Sequence, residues 1–73
     1  MISDFKAAIR SIIDRTQWDI CHGKNKELAL LSAEYQVQGV IITAIWADHD
    51  CWWRIIDDYG ERKLQDLRRR TEA

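Results

Sequence analysis

The stretch from Leu31 to Thr43 constrains this chain more than any other. Leu31, Ala33, Tyr35 and Val37 are apolar, and Ser32, Glu34, Gln36 and Gln38 alternate with them. Strict alternation marks a half-buried strand, because successive strand side chains point to opposite faces. Val40-Ile41-Ile42-Thr43 follows, a β-branched run whose stiff χ1 favours extended backbone. A helical reading competes, since Leu28, Leu31, Tyr35, Ile42 and Ile45 keep a helical step. It breaks at Gln38-Gly39, where the apolar face should continue and where Gly costs a helix interior ~1 kcal/mol relative to Ala. The spacing therefore predicts strands near 31–38 and 40–46, with Gly39 at a bulge, bend or tight turn.

Around this segment the pattern changes. Ile2, Phe5, Ile9, Ile12 and Ile13 recur at steps of three and four and predict an amphipathic helix over 3–16. Ser3 suits its N-cap, and Asp4 suits the positive end of its dipole. Trp18 and Ile20 fit a very short strand, and Cys21-His22-Gly23-Lys24-Asn25-Lys26 reads as a polar turn or loop. Downstream, Asp48-His49-Asp50 suits a hairpin turn and residues 51–56 a third strand. Asp57-Asp58-Tyr59-Gly60 reads as a second turn, with Gly60 free to take positive φ. Residues 61–66 suit an edge strand or the start of a final helix, and residues 68–73 a basic tail. The expected fold is α+β. An N-terminal helix packs on a small antiparallel sheet of three to four strands, an SH3-like barrel being one form of it. An all-α four-helix arrangement is the alternative.

Size and charge bound what such a fold can do. The chain has 73 residues, enough for one domain, with 47% hydrophobic and 32% charged residues and a net charge of -1. That balance excludes disorder throughout, and it excludes a plain electrostatic nucleic-acid binder. No uninterrupted apolar run approaches the ~18 residues of a membrane span, so no membrane partner is expected. The first residues lack the basic-then-apolar order of a signal peptide, which points to the cytoplasm, where Cys21 and Cys51 stay as free thiols. A chain this short buries only about 60% of its unfolded surface. An edge strand or an exposed Trp face would otherwise meet water, so a homodimer is expected.

Catalytic chemistry is poorly provided for. Cys21-His22 and His49-x-Cys51 supply the ligand types of a zinc site, but adjacent ligands rarely converge on one ion. The same residues could form a thiolate–imidazole pair, yet no oxyanion loop accompanies them. Asp48, Asp50, Asp57, Asp58 and Glu61 read as solvated turn carboxylates without a calcium-loop pattern. We therefore expect no enzyme, no metal and no cofactor.

Aromatic residues carry the functional expectation. Trp46, Trp52, Trp53 and Tyr59 lie close together, and in a strand Trp52 and Trp53 point to opposite faces, leaving one exposed beside Arg54. Exposed Trp and Arg are enriched at interface hot spots. The reading is a small non-enzymatic regulatory or accessory factor, of the size mobile genetic elements encode, that docks on a larger protein through Trp46, Trp52, Trp53, Arg54 and Tyr59. The alternative is a nucleic-acid-binding module that uses a Trp-bearing sheet face and the C-terminal Arg68, Arg69 and Arg70.

Overall fold

The computed structural model describes residues 2–47 and 52–72. Helix α1 spans Ile2–Cys21, α2 spans Lys26–Ala47 and α3 spans Trp53–Thr71, and each helix packs against both others. At ~1.5 Å rise per residue the helices are roughly 30 Å long, in line with a bundle whose extents are 41 × 17 × 16 Å. No strand occurs among the described residues, so the α+β fold, the sheet and the SH3-like barrel are contradicted. The all-α alternative has the right class, with three helices rather than four among the described residues.

The expected strands near 31–38 and 40–46 are a single helix because α2 carries two apolar rows. Ala29, Ala33, Val37, Ile41 and Ala44 are buried, while Leu28, Leu31, Tyr35, Ile42 and Ile45 are exposed. The rows sit two residues apart, about 200° around a helix, hence on opposite faces. Read in order they alternate with polar residues and mimic a strand. Each β-branched residue of 40–43 costs only a few tenths of a kcal/mol of helix propensity. Burial of Ile41 beside Val37 offsets more than that. The small residues of the inner row let the neighbouring helices approach closely.

Helix α1 confirms the predicted amphipathic face and runs further than 3–16, absorbing Trp18 and Ile20. Ile9 and Ile13 enter the core, and Phe5 and Ile12 pack against it. Among the described residues Thr16 is the buried polar one, and its hydroxyl donates to the Ile12 carbonyl at 2.7 Å. The predicted turn after α1 is present. Gly23 sits at φ 97°, its amide donates to the Ile20 carbonyl (3.2 Å) and the Lys24 amide to Asp19 (3.0 Å). That pair of bonds is the Schellman motif, which satisfies the last carbonyls of a helix. Asn25 then caps α2, its side-chain oxygen accepting from the Leu28 amide at 3.0 Å.

Helix α3 replaces the expected third strand, the turn at 57–60, the edge strand at 61–66 and most of the basic tail. Ile56, Gly60, Leu64 and Leu67 form its buried row. Gly60 is therefore a packing position rather than a turn. A Cβ there would meet Val37 Cγ1 at 2.9 Å and Ile41 Cδ1 at 3.4 Å. The predicted hairpin turn at Asp48-His49-Asp50, and Cys51, lie outside the described residues. By length and composition α2 could also cross a membrane, a test that the core helix of a bundle passes too.

The glycines yield opposite expectations. Gly39→Ala should stabilise the fold by about 1 kcal/mol, because the site is helical and open. Gly60→Ala should destabilise it by about 1 kcal/mol, because overpacking against a stiff valine outweighs the same propensity gain. Gly23→Ala should destabilise by about 1 kcal/mol through its left-handed backbone. Urea denaturation followed by far-UV circular dichroism checks all three, and equal signs for Gly39 and Gly60 would contradict the packing.

Candidate functional site

The helical backbone places the aromatic set on or next to helices instead of on the faces of a strand. Residues on a helix turn by about 100° each, so Trp52, Trp53 and Arg54 diverge. Trp46 is 84% exposed near the end of α2, and Trp52, just before α3, is 37% exposed. The Trp52 carbonyl accepts from the Ile55 and Ile56 amides at 2.8 and 3.2 Å and so starts the helix. Trp53 is half-buried against the core, with the Arg54 guanidinium 5.6 Å from its ring. Tyr59 lies elsewhere, in the groove between α1 and α3. The structure thus sets Arg54 against Trp53, leaves Trp46 and Trp52 exposed near the α2–α3 connection and places Tyr59 against α1, and no Trp-bearing sheet face exists among the described residues.

Tyr59 instead organises a cluster of cations. Lys6 and Arg10 stand one turn apart on α1, and Tyr59 and Lys63 one turn apart on α3. Lys6 Nζ is 5.2 Å and Lys63 Nζ 5.4 Å from the centre of the Tyr59 ring. Arg10 Nη1 donates to the Tyr59 hydroxyl at 3.4 Å. None of the three cations forms an ion pair with another described residue. Each cation–π contact contributes only about 0.5–1 kcal/mol at such a site. The ring therefore gathers positive charge without neutralising it.

The groove continues toward the C-terminal end of α3. Arg70 Nη1 donates to Gln17 Oε1 across it at 3.4 Å. From Lys6 to Gln17 and from Tyr59 to Arg70 is eleven residues, about 16 Å of helix. Of the nearby carboxylates, Asp58 pairs with Arg62 at 3.0 Å and Asp66 with Arg69 at 3.7 Å, while Asp14, one turn beyond Arg10 on α1, is exposed at the edge of the groove. The three consecutive arginines are not a tail. Arg68 pairs with Glu34 on α2, Arg69 with Asp66 on its own helix, and Arg70 reaches α1. Of the three, Arg70 alone adds to the groove.

The remaining candidates come apart. Trp18 and His22 stack with ring centres 3.8 Å apart, and His22 Nδ1 lies 2.7 Å from the Trp18 carbonyl. Cys21 is an exposed free thiol, while His49 and Cys51 of the zinc or thiolate reading lie outside the described residues. Among the described residues no group of three His, Cys, Asp or Glu is placed to hold a metal ion. Asp57, Asp58 and Glu61 belong to one helix rather than to two turns, and Asp48 and Asp50 lie outside the described residues.

Sequence reasoning missed Lys6 and Arg10, and took Lys63 only as part of a basic C-terminal segment. Their signal was the four-residue spacing of Lys6 with Arg10 and of Tyr59 with Lys63, which means little until both segments are known to be helices. It also missed the exposed row of α2, whose members it had noticed and set aside as a failed core. No family model, curated protein or solved structure matches the chain.

Proposed function

We propose that this chain is a small non-enzymatic nucleic-acid-binding module that lays a phosphate backbone along the α1/α3 groove. The observation that carries this reading is the convergence of Lys6, Arg10 and Lys63 on Tyr59 without carboxylate partners among the described residues. A row of cations short of counter-charges favours a ligand with regularly spaced negative charges. Arg70 extends the row, and its ~16 Å length matches the rise of about five stacked nucleotides. The net charge of -1 is compatible with this, because the charges are unevenly placed. Asp58 pairs with Arg62, Asp66 with Arg69 and Glu34 with Arg68, so these carboxylates are shared with other cations. The groove reads phosphates, which fix register and orientation, and supplies no base-specific contact.

A second reading, docking on a larger protein through Trp46 and Trp52, is favoured by the exposure of both rings at the α2–α3 connection. Changing both to Ala separates the two. Nucleic-acid retention persists under the first reading, and partner capture is lost under the second.

Fluorescence anisotropy with labelled single-stranded and duplex oligonucleotides tests the groove. Four phosphate contacts imply a loss of affinity of about fiftyfold for single strands and about 150-fold for duplex between about 50 and 200 mM salt. Lys6→Glu with Lys63→Glu should abolish binding at the lower salt, and Arg15→Glu, on the α1/α2 side, should leave it nearly intact. No binding of any oligonucleotide at low salt overturns the reading.

A further inference from the structure

The outer row of α2 has a regular register. Leu28, Leu31, Tyr35, Gln38, Ile42 and Ile45 follow one another at alternating steps of three and four. Those are the a and d positions of two and a half heptads, the pattern that seats one helix in the holes of another. All six are exposed. The five apolar members are 45–72% exposed, and Trp46 beside them is 84% exposed. A monomer rarely leaves more than a few hundred Å² of contiguous apolar surface uncovered.

We propose that this row is the seam of a two-fold homodimer, in which α2 packs against α2 of a second copy. Three observations favour a second copy over other occupants. The row carries no charge. Among the described residues of α2 beyond its first turn the one charged side chain is Glu34, and it is held by Arg68. In a two-fold interface the same patch meets itself, so an uncharged row pairs without repulsion, whereas a row built for a charged partner would show the complementary charge. The strip also matches a helix in length and register, and the chain itself carries such a helix. A bilayer fits less well, because the opposite row of α2, Ala29 to Ala44, is locked against α1 and α3. Gln38, the polar member of the row, fixes the register at some cost in affinity.

Sedimentation equilibrium on the full chain should give twice the 8.6 kDa chain mass at high-micromolar concentration. Leu31→Glu with Ile42→Glu should give the monomer mass with unchanged helical circular dichroism, since neither side chain supports the core. Gln38→Leu should tighten the dimer several-fold, a result that stands even if the double variant fails to fold. A monomeric wild type at every concentration overturns the proposal, as does a dimer that survives the double substitution or is indifferent to Gln38→Leu. Flotation of the wild type with phosphatidylcholine vesicles, or a monomer that forms a defined complex with one larger protein through these residues, assigns the row to that occupant and overturns it equally.

Discussion

The bundle depends on one close approach. At Gly60 the helices stand so close that a Cβ on α3 would come within van der Waals reach of Val37 and Ile41 on α2 and Ile9 on α1. The three helices meet there because one of them has no side chain to interpose. Ala29, Ala33 and Ala44 continue the same economy along α2. A core built this way stays thin, and its large members, Ile9, Ile56, Leu67 and Val37, are fully buried around the contact. A thin core leaves outer faces broad relative to volume, which is why so many large apolar residues remain on the surface.

That geometry explains what the sequence revealed and what it concealed. The face of α1 was plain, because its apolar residues form one row with charges elsewhere. The polar turn after it was plain too, since Gly23 and Asn25 are the residues such a turn requires. Helix α2 was misread because it has an inner and an outer apolar row, and opposite rows on a helix interleave into the alternation of a strand. The helical step that the sequence did display, from Leu28 to Ile45, belongs to the outer row. Its interruption at Gln38-Gly39 weakened the wrong face, while the true core passed unbroken through Val37 and Ile41. Helix α3 was misread at Gly60, where a residue usual in turns is needed for its small size.

The candidate site was legible only in fragments. Tyr59 and Arg70 were singled out, but as parts of a strand-borne face and of a tail, whereas both belong to α3. What joins them to Lys6, Arg10 and Lys63 is the pairing of α1 with α3, residues about 50 positions apart in the chain. No local pattern encodes that neighbourhood. It follows from the topology, in which the third helix returns alongside the first.

The last turn of α3 is tied to the rest of the molecule more densely than its position suggests. Arg68 reaches α2, Arg70 reaches α1, and Lys26 Nζ at the start of α2 donates to the Thr71 carbonyl at 3.1 Å. Until α3 docks, α1 and α2 lack their third wall, and α2 shows both of its apolar rows to solvent. The vulnerable state of this chain is therefore the one in which its third helix has come loose from the other two.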